Sequence, residues 1–489
     1  MIVPKKPDDR TEQGVAAPAD ARASGRLRSR LKNTSQAQLV AIVERLAAES
    51  VDLASRIDYV TDPRAAGQAL LRRIGAVRSG RRFVGRGESR RLAEEIAGIG
   101  VDIRADVLPV DPDKALALAE KLFSLDRVVF DRADDSDGHI GEALREACLL
   151  WLDAAAAARL GKEAPGRDWV DLLYGFYQEN DYGIRESLLE EGHRLLQDGE
   201  LRSLAGRFEI DARRTVDSAE DGDVQRYAAL SAACAVGLVA RALRDPMLYE
   251  RSILIRSPEP NGLQANEIAR RYIECDDGAG ALRWIGTRRN DHTESGRLDL
   301  LVRAYELLGD RDSQIEVRRE LYRRAPGLHS FLALERLLPE SERADLRARA
   351  CREAGEYPDA ASAAELLFAL GEPALAEQVI VERCGELDGR NYVALTALVN
   401  TAKASGRPFA ATVLLRNLID AILARGYIRA YGHAADYLIE LRTLSLDIAD
   451  FHGHPSHEDY QRHLGTGHAR KSSFWKQVDL AAERSSGRR

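Results

Sequence analysis

The stretch LDLLVRAYELLGDRDSQIEVRRELYRRAP, residues 298–326, decides the fold. Leu298, Leu301, Tyr305 and Leu308 recur at three- and four-residue intervals, which sets them on one face of a helix. Gly309 ends that helix, and a charged helix then runs to Pro326. The same pattern returns downstream, where Leu366, Leu367 and Leu370 precede Gly371 and a helix containing Leu375, Val379 and Ile380. Gly309 and Gly371 lie 62 positions apart, twice the length of an irregular helix-turn-helix unit. Further on, Leu414, Leu415, Leu418, Ile419 and Ile422 are followed by Tyr431, Ala434, Ala435, Leu438 and Leu441 at helical spacing. A helical pair with one greasy face cannot bury it alone, so repetition of such pairs predicts that neighbours cover one another.

Outward from this stretch the chain stays helical in character. Residues 1–32 mix Pro, Ala, Gly, Asp and Arg without periodicity and are predicted to be a disordered segment. Order is expected from Ser35, which has capping-box spacing to Gln38, with Leu39, Val40, Ile42, Val43 and Leu46 as the first apolar stripe. Asp62-Pro63, Asp111-Pro112 and Asp245-Pro246 each pair a side-chain cap with a residue suited to the first helical turn. The runs Glu142 to Arg159 and Tyr227 to Leu243 are apolar enough to demand cover on several faces. Pro258, Pro260 and Gly262 mark a boundary, dividing an N-terminal helical region (33–256) from a helical-hairpin repeat region (263–450), with C-terminal capping helices and tail at 451–489. The expected fold class is all-α: irregular hairpins that resemble tetratricopeptide units, stacked as an α-solenoid.

Composition narrows the function classes. The 489 residues carry 71 basic and 78 acidic side chains, a net charge of −7, so the chain as a whole offers no footprint for a polyanion or an anionic membrane. Only nine residues are Lys, an Arg bias that a GC-rich genome explains. Cys148, Cys234, Cys275, Cys351 and Cys384 are odd in number and embedded in helical segments, which reads as small buried side chains in a reducing compartment. No apolar run follows Lys5, Lys6, Asp8 and Asp9 as a secretory signal requires, and the uncharged run between Arg226 and Arg241 falls short of the roughly 20 residues of a membrane span. A cytoplasmic protein that does not enter the membrane is expected.

Three stretches invite a chemical reading. In Asp134-Asp135-Ser136-Asp137-Gly138-His139-Ile140, placing Gly138 at the sixth position of a calcium loop puts Ala133 first and Leu144 twelfth, so two obligatory ligands are missing. The carboxylates of Asp134, Asp135 and Asp137 read instead as helix caps, or as contacts for a basic partner group. Between Arg72 and Arg91 lie eight arginines, with Arg81, Arg82 and Arg86 around Phe83, Gly80, Gly85 and Gly87. Arg pairs with phosphate and Phe stacks on bases, which makes this the local argument for nucleic acid. Six of the ten histidines fall between His433 and His468, but His452, His454 and His457 sit in a Gly- and Pro-containing turn with no cysteine nearby, so an exposed turn is expected. Asn180-Asp181-Tyr182-Gly183 reads as a turn whose preceding Tyr174, Phe176 and Tyr177 fill a hairpin interior. No phosphate-cradling glycine loop, nucleophile elbow or Cys-x-x-Cys pattern occurs, and no catalytic, cofactor-binding or metal-ligating set is assigned.

The C-terminal blocks 430–438, 460–464 and 468–475, with the 134–141 turn and Arg81-Arg82-Phe83-Val84, resemble an uncharacterised bacterial α-helical family of unknown function. His468-Ala469-Arg470-Lys471 is similar to the helical tail of SWIM-type zinc-finger proteins, although their Cys-x-Cys and Cys-x-His motif is absent. The resemblance implies helical architecture and a faint association with nucleic acid, and no activity. His468, Arg470 and Lys471 form a basic patch ahead of Trp475, which reads as an end cap or as a partner-binding edge. The sequence therefore predicts a non-catalytic helical-repeat scaffold for a protein partner, without cofactor. Nucleic-acid association through Arg72 to Arg91, and an enzyme with an unrecognised site, are the alternatives.

Overall fold

A computed structural model describes residues 34–49, 63–161, 166–217, 222–286 and 294–486. The segment 1–32 and Asp62 lie outside them. All regular elements among the described residues are helical, and the single extended contact is a parallel bridge between Val84 and Ala133. The chain forms two compact units, residues 1–259 and 260–489.

The first unit holds α1 (Gln36–Glu49), α2 (Pro63–Ser79), α3 (Arg86–Asp102), α4 (Pro112–Phe123), α5 (Asp126–Phe130), α6 (His139–Leu160), α7 (Trp169–Gln178), α8 (Glu186–Glu190), α9 (Asp198–Asp217), α10 (Gly222–Leu243) and α11 (Pro246–Arg256). The capping devices form: Asp111 accepts from the Lys114 amide at 3.0 Å, Asp245 from the Leu248 amide at 3.0 Å, and Ser35 and Gln38 exchange reciprocal bonds. The stripe of α1 departs from its expected burial. Val40, Ile42, Val43 and Leu46 remain exposed, because no described helix packs closely on that face.

At the centre, α6 packs against both α3 and α4, and α10 against α9, α8 and α11. Trp151 is only 1% exposed and meets Phe123, Phe176 and Trp169 edge to face. Phe176 thus fills the interior, as its place before the 180–183 turn predicts. Above Phe123 sits the Arg185 guanidinium, 5.5 Å from the ring centre, bonded to both carboxylate oxygens of Asp126 at 2.7 and 3.1 Å. Both side chains are buried. Burial opposes the charge on Arg185, but the hydrogen bonds and attraction of Asp126 outweigh it and hold its pKa above the ordinary value. Nearby Cys148 is fully enclosed and burial pushes its thiol up to about 12, so it is a core residue and not a nucleophile.

The second unit holds α12 (Gly262–Glu274), α13 (Gly278–Ile285), α14 (Glu294–Leu308), α15 (Arg311–Arg324), α16 (Leu328–Glu335), α17 (Glu340–Glu353), α18 (Ala360–Ala369), α19 (Pro373–Glu382), α20 (Tyr392–Ala404), α21 (Pro408–Arg425), α22 (Tyr431–Leu444), α23 (His457–Gly467) and α24 (Ser472–Ser486). From α12 to α16 each helix packs on the next; beyond them α18 packs on α19 and α20, α21 on α19 and α20, and α22 on α21. Gly309 and Gly371 take φ of +68° and +82° at the helix ends where the sequence places them. Buried alanines line these contacts, among them Ala363, Ala364, Ala410, Ala411, Ala434 and Ala435.

Replacing Asp126 by Asn takes the bidentate partner from the buried Arg185 and leaves it only the exposed Glu179 carboxylate, at 3.1 Å, and is expected to cost the first unit about 3 kcal/mol. The measurement is the urea midpoint of tryptophan fluorescence. Adding Arg185→Met to Asp126→Asn is expected to recover part of the loss, since the pair is then replaced by apolar volume.

Candidate functional site

The structure brings together two of the stretches singled out by sequence. The Val84 amide donates to the Arg132 carbonyl at 2.8 Å, and the Asp134 amide to the Val84 carbonyl at 2.9 Å, so the arginine loop lies against the acidic turn. Arg86 then grips Asp137 with two bonds, Nε to Oδ2 at 3.0 Å and Nη2 to Oδ1 at 2.5 Å. The hydrogen bond and charge of Asp137 raise the Arg86 pKa, and those of Arg86 lower that of Asp137. Asp134 accepts from the amide and hydroxyl of Ser136, which hold its pKa below the usual range. Asp135 accepts from the Ile140 amide at 2.8 Å and the Gly141 amide at 2.8 Å, capping α6.

Arg82 pairs with Glu88, Arg73 with Asp102 and Arg90 with Glu94. Arg81 is exposed and has no ion pair among the described residues. Half of the charge between Arg72 and Arg91 is therefore already satisfied by carboxylates of the same chain.

The C-terminal patch is similarly committed. The Trp475 indole donates to the His468 carbonyl at 3.1 Å, and Trp475 meets Phe474 at 5.0 Å between ring centres. The Lys471 ammonium bonds the Leu423 carbonyl near the end of α21, where a cation suits the helix dipole. Burial, and then the Lys471 charge, lower the His468 pKa. Arg470 is exposed without an ion pair among the described residues.

The histidine turn divides. His452 and His454 flank the Phe409 ring, each 5.6 Å from its centre, whereas His457 is buried at the start of α23. Among the described residues no group of three or more His, Cys, Asp or Glu converges as metal ligands. Arg416 lies between the Phe451 and Tyr460 rings at 5.6 and 4.7 Å, and its Nη2 donates to the Ser456 carbonyl at 3.3 Å. Burial lowers the His457 pKa; Glu458 works against this, while Arg416 and Arg442 add to it.

A site that the sequence reading missed lies between α20, α21 and α22. A groove of about 430 Å³ is lined by Arg390, Tyr392, Arg425, Tyr427, Arg429 and His433, with Leu418 and Ile422 beneath them. Gly389 permits it: a Cβ there would come within 2.5 Å of Ala421 Cβ and 2.6 Å of the Asn417 carbonyl. At the far end, Gly426 takes φ +64° and its amide caps the Leu423 carbonyl, turning the chain so that Arg425, Tyr427 and Arg429 share one rim. Tyr392 and Tyr427 are 66% and 54% exposed, and His433 stacks on Tyr437.

No carboxylate lines the groove among the described residues. Arg425 and Arg429 make no hydrogen bond or ion pair there, and Arg390 reaches only Asp388, at 4.0 Å. No other signal in the sequence marks these residues, because they come from three segments and each reads alone as an ordinary surface residue.

Two expected outcomes follow from the geometry of the acidic turn and the histidine turn. Asp135→Ala removes two amide partners of α6 and is expected to destabilise the first unit by about 1–2 kcal/mol, whereas Asp137→Ala leaves its denaturation midpoint unchanged. Because the His457 pKa is depressed in the fold, the unfolded chain takes up a proton first as pH falls below the ordinary value of 6.5. The stability contribution present above that pH is therefore lost on acidification. Thermal melts between about pH 7.5 and 5 are expected to show this loss, and His457→Gln to flatten it.

No curated protein and no solved structure matches the chain. The sequence model of a family of unknown function, DUF6880, matches it twice, over residues 27–245 and 258–477. With these two matches spanning most of its length, the chain belongs to the DUF6880 family.

Proposed function

We propose that the protein is a non-catalytic helical scaffold that binds another protein, and that the groove between α20, α21 and α22 is a docking site. The reading extends the helix-on-helix order of the second unit to a stack of tetratricopeptide-like hairpins, whose successive pairs leave grooves between them. One observation carries it: exposed arginine and tyrosine side chains gather in one open groove, and among them Arg425, Arg429, Tyr392 and Tyr427 have no side-chain hydrogen bond or ion pair among the described residues. Those two residue types concentrate binding energy at protein interfaces, since each offers a large contact area together with hydrogen-bonding groups. A cytoplasmic location accords with five free cysteines; no helix among the described residues is long and apolar enough to cross a membrane.

Nucleic-acid contact through the arginine stretch is the second reading, and exposed Arg78 and Arg81 without ion pairs favour it. It draws on less free charge than the stretch contains, because Arg73, Arg82, Arg86 and Arg90 already face carboxylates.

Photo-crosslinking tests the scaffold reading. A photoreactive residue in place of Tyr427 is expected to trap a defined protein in the native host, and one in place of exposed Leu160 is expected not to trap it. Loss of that product on adding Arg425→Glu and Arg429→Glu assigns it to the groove; persistence removes the groove from the interface.

A further inference from the structure

We infer that the groove between α20, α21 and α22 receives an extended acidic segment of the partner protein, anchored by one apolar or aromatic side chain. This rests on the scaffold reading and adds the chemistry of what is bound.

Charge carries the inference. Elsewhere in the second unit several cations near helix ends face carboxylates of the same chain, as Arg383 faces Glu386, Arg407 faces Glu377, Lys403 faces Glu440 and Arg484 faces Asp436, whereas Arg352, Arg442 and Arg470 have no ion pair among the described residues. What sets the groove apart is that several arginines share one lining that includes no carboxylate among the described residues, in a chain whose acidic residues outnumber its basic ones by 78 to 71. The dipole of α21 accounts for Arg425, which ends that helix, but not for Arg429 beyond the turn or Arg390 before α20. Arg425 and Arg429 have no acid of the chain beside them among the described residues and Arg390 reaches Asp388 only at 4.0 Å, so each guanidinium can bind an incoming carboxylate with two parallel bonds.

The apolar part of the occupant is set by the floor. Leu418 and Ile422 lie under Tyr392 and Tyr427, while Val393 and Ile428 beside those tyrosines are 67% and 68% exposed. Such a patch is stabilised when one side chain covers it.

An open groove with exposed walls suits an extended chain that passes through.

The test is selection of a random library of short peptides on the immobilised full chain, with the Arg425→Glu/Arg429→Glu variant, checked for unchanged helicity by circular dichroism, as counter-selection. The expected result is enrichment of peptides rich in Asp and Glu around an apolar residue. In fluorescence anisotropy their Kd rises with added salt, and rises about tenfold or more in Arg429→Ala. Enrichment of peptides without acidic bias that the variant still loses overturns the acidic assignment and leaves the scaffold reading standing. Enrichment of nothing that depends on these arginines, together with arginine-dependent binding of a short oligothymidylate, overturns both in favour of nucleic acid. Absence of both kinds of binding overturns both outright.

Discussion

An α-helix satisfies its own backbone and leaves one problem, an apolar stripe that only another helix can cover. In this protein aromatic residues are 6% of the chain, and the cover is provided largely by close approach. Ala154 and Ala155 in α6, Ala233 and Ala235 in α10, and Ala410 and Ala411 in α21 are all buried without remaining exposure. Small side chains let helix axes come near enough for the leucines around them to interlock, and dense packing then limits which neighbour each helix can accept. Both units depend on that constraint, and the charged residues are distributed around it.

Those charged residues divide by environment. Arg185 and Asp126 are a buried pair, with Glu179 as the second acid on Arg185, and they tie the 180–185 turn over the aromatic cluster. Arg86 and Asp137 are a solvent-facing pair that aligns two loops without adding much stability. Arg425 and Arg429 belong to neither class, which is why they suggest a partner where the other two pairs suggest architecture.

Helical character was legible because it is local: periodic leucines, Asp-Pro starts and Leu-Gly stops are written in consecutive residues. The capping role of Asp135 was legible on the same ground, since its partners Ile140 and Gly141 are five and six positions away. Pairing of Arg86 with Asp137 was not, because 51 positions separate them and the loops come into register through the Val84 bridge and the bonds of Arg132 to the Val77 and Arg82 carbonyls. The exposed stripe of α1 shows the converse failure, in which periodicity states that a face is apolar and not what covers it. The groove was least visible, for its cations acquire meaning only after the turn at Gly426 gathers them.

Lys471 has a wider importance than its single bond to the Leu423 carbonyl suggests. That carbonyl belongs to the last turn of α21, two residues before Arg425, so the tail acts as a splint on the helix that carries the groove's rim. Cleavage ahead of residue 471, or loss of the Lys471 ammonium, would consequently be felt at a surface contributed by residues some fifty positions earlier.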